Sequence, residues 1–243
     1  MSKVNATRRT LMPFNSPSRF PIEAILAGKL GDIVASSDDV WPDLLIDAYE
    51  HGIFPWPTGE EDQIPWCSPK KRALLIFAEM RLPRSLEKAR RNSGLTFTRD
   101  RAFETVIREC ASQPRPGQDG TWITEGMIRA YVELHVRGRA HSVEAWLPQG
   151  GSSTGGPRLV GGIYGVDSGG AFSAESMFYR EPNASKLALL HLIDLLKEKG
   201  SEWLDIQQLT PHLEKLGARE IKRPDFLRRL SLAQSSASQG KLF

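Results

Sequence analysis

The stretch ASKLALLHLIDLLKEK (residues 184–199), closed by Gly200, constrains the fold more than any other feature of the chain. Its leucines recur at helical spacing, and Asn183 is placed to cap its start. Three strand-like segments precede it, HSVEAWL, LVGGIYGVD and AFSAESMFY, and one, EWLDIQQL, follows. A meander of three strands, a long helix and a further strand predict a mixed sheet, because the helix must carry the chain back to run parallel with the strand it left. Thr210 and Pro211 open a short helix that stops at Gly217; AREIKR is then a last strand and PDFLRRLSLAQ a terminal helix. The tail SSASQGKLF reads as frayed.

The first half is less regular. Residues 1 to about 40 are rich in Pro, Ser and Asn and read as an arm with one helical turn near residues 23–27. Pro42 to Glu50 carries Leu44, Leu45 and Ala48 at helical spacing, with Gly52 as the stop. The prolines and aromatics of IFPWPTGEEDQIPWCSPKKR predict an ordered loop. Residues 73–77 read as a strand, Pro83 opens a basic helix to about Asn92, and Asp100 is placed to cap a helix reaching Cys110. SQPRPGQDG reads as a loop, followed by a helix bearing Met127, Ala130, Tyr131 and Leu134 on one face. The spacing therefore predicts an α+β N-terminal domain over residues 1–112, a catalytic domain over 113–235 and a tail over 236–243.

At 243 residues the chain is long enough to bury a sizeable core. No apolar run approaches the length of a membrane span, and the basic N-terminus lacks the apolar core of a secretory signal. Two cysteines, Cys67 and Cys110, define neither a disulfide framework nor a metal cluster, so a reducing cytoplasm and no metal are expected. The net charge of +3 is small, but residues 70–101 hold ten basic side chains against three acidic ones. Arg84, Lys88 and Arg91, with Arg90 beside them, form a stripe on one helix, a candidate phosphate-binding surface. Charge alone does not separate that role from a solvated helix face.

The layout of strands around the long helix is that of a GNAT-like acyltransferase domain, and fold alone does not give a function. Such enzymes hold the CoA pyrophosphate with backbone N–H groups of a glycine-rich turn before the long helix. Here that turn is YREPNASK, which has no glycine and in which Pro182 removes a donor. A different acyl donor is therefore expected.

The words GIFPW, CSPKKRALL, GTWIT, HVRGRAHSVEAW, LVGGIYGV, AESMF, ASK, LDIQ and LGA, in this order, resemble the leucyl/phenylalanyl-tRNA–protein transferase family over roughly residues 13–230. The chain departs from the usual pattern at ASSDDV in the arm, at Trp66-Cys67 and at Ala174. The resemblance implies transfer of leucine or phenylalanine, with methionine a further candidate, from charged tRNA to proteins beginning with Arg or Lys, which marks them for degradation. It implies no cofactor, and a monomer in the cytoplasm. A relative using acidic N-termini, an acyl-CoA N-acetyltransferase and a non-catalytic RNA-binding module are the competing readings.

Aminolysis of an ester already activated on RNA needs alignment of two substrates and a neutral amine. Alternation along a strand puts Asp205 and Gln207 on one face and Ile206 on the other. The resemblance implies that Asp205 accepts a hydrogen bond or proton and that Gln207 orients the amine; without it, a solvent-facing polar pair is the plain alternative. Glu175, on the neighbouring strand, either attracts a positive acceptor terminus or is a structural acid bonded to the backbone or to Ser176. Ile163, Met177 and Ile206 are candidates for the aminoacyl pocket, with core packing as the alternative. The resemblance favours Trp56 and Trp122 stacking on the 3′ end of tRNA, whereas Trp66 reads as a core anchor. Ser176 has no paired His and is not read as a nucleophile, although its place in the AESMF word puts it among the substrate-binding candidates. His135 and His141 read as structural.

Overall fold

The computed structural model describes residues 17–57, 63–113, 122–148, 156–237 and 242–243. Its centre is a seven-stranded mixed sheet with helices on both sides. The sheet contains β4 (Lys71–Ile76), β5 (Thr96–Arg99), β6 (Ala140–Leu147), β7 (Arg158–Asp167), β8 (Phe172–Tyr179), β9 (Trp203–Gln207) and β10 (Arg219–Lys222), in the order β10-β4-β9-β8-β7-β6-β5. Every described neighbour pair is antiparallel except β8 and β9, which are parallel and joined through α6 (Ala184–Glu198). The long helix thus makes the expected return crossover.

A small antiparallel sheet precedes it, built from β1 (Ile33–Ser37), β2 (Phe54–Pro55) and β3 (Ile64–Cys67) in the order β1-β3-β2. The segment expected to be one loop therefore contains β2 and β3. Prolines are tolerated there because the strands are short and, at β2, on a sheet edge. The boundary expected at residues 112/113 runs through the large sheet, since β4 and β5 come from before it.

Two apolar clusters lie on opposite faces of the sheet. One gathers the small N-terminal elements with α2 (Pro42–Glu50), α4 (Phe103–Ser112), α5 (Glu125–Val136) and α8 (Arg223–Ser236) around Tyr49, Phe54, Leu74, Tyr131, Tyr164 and Phe226. The other lies under α6 and includes Ala73, Leu75, Ile163, Leu204 and Ile206. Alternation along β4 and β9 accounts for the division: Leu74 and Leu75 go to different clusters, and Asp205 lies between Leu204 and Ile206. The basic helix α3 (Arg84–Asn92) sits on the α6 side, anchored by Leu86.

Two caps differ from expectation. Asp100 takes a left-handed φ of 60° and accepts from the Ser142 amide and the His141 ring rather than capping α4. The buried Glu144 carboxylate instead receives the Arg101 and Ala102 amides just before α4. Asn183 precedes α6 with φ 66° and makes no side-chain cap.

Candidate active site

Strands β8 and β9 pair in register at one position, Ser173 opposite Asp205. Two irregularities flank it. In β8, Tyr164 faces Ser176 and Gly165 faces Ala174, which leaves Glu175 as the extra residue of a bulge. In β9, the register against β4 shifts between Ala73–Gln207 and Leu74–Asp205, leaving Ile206 extra. Bulges re-aim side chains. Gly165 permits the close approach: a β-carbon there would lie 2.3 Å from the Ser173 carbonyl oxygen.

Asp205 is fully buried and both its oxygens are engaged. Arg72 donates from Nε to Oδ1 at 2.8 Å and from Nη2 to Oδ2 at 2.7 Å. Ser173 Oγ donates to Oδ2 at 2.8 Å, and the Gln207 amide donates to Oδ1 at 3.0 Å. Arg72 is itself only 1% exposed and lies 4.4 Å over the Phe54 ring and 4.7 Å over Phe226. Counted by sequence among the surface cations, Arg72 is instead a core residue, because its place on β4 turns it inward toward Asp205.

Gln207 has a left-handed φ of 59°, a conformation that costs about 1–3 kcal/mol in a residue other than glycine. Its amide bond to Asp205 offsets part of that cost. This turn, with the register shift beside it, replaces the plain strand alternation expected there. It sends the side chain to Glu175, whose Oε1 accepts from Gln207 Nε2. Glu175 Oε2 is buried and has no partner of good hydrogen-bond geometry among the described residues. Burial pushes the Glu175 carboxyl up to about 8; Tyr49 opposes the shift by hydrogen bonding, the Asp205 charge adds to it, and Arg72 and Gln207 oppose it. Beneath it the buried Tyr49 and Tyr131 hydroxyls share a 2.6 Å hydrogen bond, and burial drives both phenols well above their ordinary range.

Ile163, Met177 and Ile206 come together on the α6 side of the sheet, Ile163 facing Met177 across β7 and β8. They are on the opposite face from the Asp205 carboxylate. Ser176 is half-buried opposite Tyr164. Trp56 and Trp122 are both half-buried; their rings are parallel within 7°, with centroids 6.3 Å apart, and Trp56 meets Phe54 edge-on. Trp66 is a core anchor, 1% exposed, with Nε1 donating to Ser37 Oγ at 2.8 Å and Phe20 against its ring.

Arg84, Lys88 and Arg91 are exposed along α3. Arg90, grouped with them from sequence, is engaged by Asp194 of α6, so its charge is partly neutralised. Among the described residues Asp100, His135 and His141 bring possible ligand atoms within 4.8 Å of one another. Asp100 accepts from the His141 ring and the Ser142 amide, and His135 Nδ1 bonds the Ala140 carbonyl, while the buried His141 Nε2 has no hydrogen-bond partner among the described residues. In the turn before α6 the Arg180 and Glu181 amides bond to Val160, and the Ala184 amide to Glu181.

Sequence had pointed to Asp205, Gln207 and Glu175 but missed Arg72, Ser173, Tyr49 and Tyr131. Strand parity between Arg72 and the apolar run after it was a usable signal for Arg72; the tyrosines carried only the pattern of core helix positions.

A family model described as leucyl/phenylalanyl-tRNA protein transferase matches residues 74–231, and one for the N-terminal domain of that family matches residues 38–70. The leucyl/phenylalanyl-tRNA–protein transferase of Anaeromyxobacter dehalogenans (strain 2CP-C) is 46% identical over 201 residues, covering 83% of this chain and 82% of that protein. That of Thiobacillus denitrificans is 46% identical over 220 residues, 90% and 92% of the two chains. That of Dechloromonas aromatica is 42% identical over 229 residues, 94% of each. Among solved structures, the crystal structure of FemX superposes with a TM-score of 0.49 at 10% identity, covering 67% of this chain and 64% of that one.

Proposed function

The chain belongs to the leucyl/phenylalanyl-tRNA protein transferase family, and from that premise we propose that it moves leucine or phenylalanine from charged tRNA to proteins whose first residue is Arg or Lys. It is an aminoacyltransferase acting from tRNA on protein N-termini. The basic-acceptor preference, the role of the product as a degradation signal, a monomeric state and action in the cytoplasm are parts of the proposal. Among the described residues no helix is long and apolar enough to cross a membrane.

The observation that carries the reading is the cluster Glu175–Gln207–Asp205 where β8 and β9 meet at a single pair. We read the sheet as GNAT-like on the same ground, a parallel pair with the long helix between its strands. The α6 turn, with its amides bonded inward and Pro182 in it, does not suit CoA, which favours an acyl donor held elsewhere. The exposed cations of α3 suit tRNA phosphates, which position RNA without reading its sequence. Trp56 and Trp122 suit the terminal adenosine by stacking. Ile163, Met177 and Ile206 form the apolar wall for the aminoacyl side chain, reached from the carboxylate face through the parting of β8 and β9.

The test is transfer of radiolabelled leucine from purified leucyl-tRNA to peptides that differ only in their first residue. Label on Arg- and Lys-initiated peptides but not on Asp- or Glu-initiated ones is the expected result. Label on the acidic set alone would reassign the acceptor, and consumption of an acyl-CoA in place of charged tRNA would reassign the donor.

A further inference from the structure

A proton must leave the attacking amine, and Asp205, the strand carboxylate to which the family resemblance assigned that task, has no open site for it. Its four hydrogen bonds, two from Arg72 and one each from Ser173 and the Gln207 amide, occupy both oxygens. A carboxylate whose two oxygens are both committed to donors offers the proton no open site. The one other carboxyl in the cluster is differently placed. Glu175 is the extra residue of the β8 bulge, its Oε1 is held by Gln207 Nε2, and its Oε2 is buried without a well-formed partner. We propose that Glu175, through Oε2, is the proton acceptor for the attacking amine, while Asp205 is a positioning residue that fixes the Gln207 turn.

In this step, open to the ionised form of Glu175, the neutral amine nitrogen adds to the ester carbonyl carbon, forming the C–N bond, and gives one proton to the Glu175 carboxylate. The tetrahedral intermediate collapses, the bond from carbon to the ribose oxygen breaks, and Glu175 returns that proton to the departing oxygen. One amide and one hydroxyl result, and Glu175 ends as it began. Gln207 keeps the carboxyl from rotating away by holding Oε1.

The groups facing Glu175 from each packed element agree with this role. Tyr49 from α2, which hydrogen-bonds the Glu175 carboxyl, and Tyr131 from α5 stay neutral, Asp205 from β9 is a neighbouring negative charge, and Arg72 from β4 a positive one mostly taken up by Asp205. Burial and the Asp205 charge raise the Glu175 carboxyl to about 8, close to the ordinary range of an α-ammonium, ~7.7–8.0. Proton transfer between matched partners has little uphill cost, the condition under which general base catalysis works best.

The inference rests on the aminoacyl-transfer reading, and the experiment separates the two. Single-turnover leucine transfer to an Arg-initiated peptide is measured for the wild type, Glu175→Gln and Glu175→Ala, with leucyl-tRNA binding measured alongside. Glu175→Gln keeps the Oε1 acceptor for Gln207 and is expected to retain tRNA affinity while the transfer rate falls about 10²–10⁴-fold. Added formate, a small external carboxylate, is expected to restore part of the rate to Glu175→Ala and none to Glu175→Gln. A Glu175→Gln rate equal to wild type, or Glu175→Ala that binds tRNA but ignores formate, overturns the assignment. A wild-type chain that transfers nothing from leucyl-tRNA overturns the functional reading itself, and the inference with it.

Discussion

Arg72 and Asp205 meet as a two-pronged ion pair sealed inside the molecule, 133 residues apart in sequence, with Phe54 and Phe226 over the guanidinium. Removing one partner strands the other as a buried charge, which costs far more than the pair contributes. Arg72→Ala is expected to lower unfolding free energy by about 3–5 kcal/mol in urea titrations, and Asp205→Ala by a similar amount. The double variant Arg72→Met/Asp205→Leu is expected to be less destabilised than the sum of the single changes, because neither charge is stranded. Simple additivity would mean that the two side chains do not act as a unit.

Glu175 carries an opposing cost. Its carboxyl titrates near 8 in the folded chain against an ordinary value of 4.5. Below about pH 4.5 it is protonated in both states and is neutral toward stability. As pH rises the unfolded chain releases the proton first, so stability falls until the folded carboxyl also ionises near 8. Glu175→Gln removes this loss. Its stability relative to wild type is expected to rise between about pH 4.5 and pH 8 and then level off, reaching a few kcal/mol. A difference independent of pH would show that burial does not raise the carboxyl.

Much of this architecture was legible in the sequence because local signals carried it. Pro42, Gly52 and the leucines between them located α2, and the apolar spacing of residues 184–199 located α6. The strands β2 and β3 were not legible, since Pro55 and Pro65 argue for loop and only pairing with Cys67, Trp66 and β1 makes strands of them. Asp205, Gln207 and Glu175 could be singled out, but not what holds them. The Arg72 contact depends on two distant strands pairing through β4 and β9, and the positive φ of Gln207 follows from a register shift that no local pattern announces. The inward turn of Arg72 also explains why a count of cations overstated the surface charge of residues 70–101.

The basic helix gives a prediction that depends on salt. Arg84, Lys88 and Arg91 project from α3 on the α6 side of the sheet, whereas Arg90 is held by Asp194. Each phosphate contact contributes about −0.7 to −0.9 to the slope of log K against log salt. Changing the three exposed cations to Glu is expected to weaken tRNA binding strongly at low salt and to flatten the slope by about 2 or more. Arg90→Ala alone is expected to change affinity little. An unchanged slope in the triple variant would place the RNA on another surface.

Trp56 and Trp122 come from segments far apart in the chain, yet their rings lie parallel, flanked by Phe54, whose other neighbour is Arg72. The aromatic pair is thus tied through Phe54 to the ion pair that fixes Asp205, which connects the proposed base-stacking surface to the candidate site. Stacking of a base on an aromatic ring is worth about 1–3 kcal/mol, so Trp56→Ala is expected to raise the KM for aminoacyl-tRNA by about 5- to 150-fold. Trp122→Ala should act alike, and the double variant should lose little more than either single one, because each ring supports the other. The maximal rate is expected to change far less than KM, since stacking holds the RNA end before and during transfer alike. Loss of rate at saturating tRNA with KM unchanged would show instead that the pair only braces Phe54 and Arg72, and that the terminal adenosine is held elsewhere.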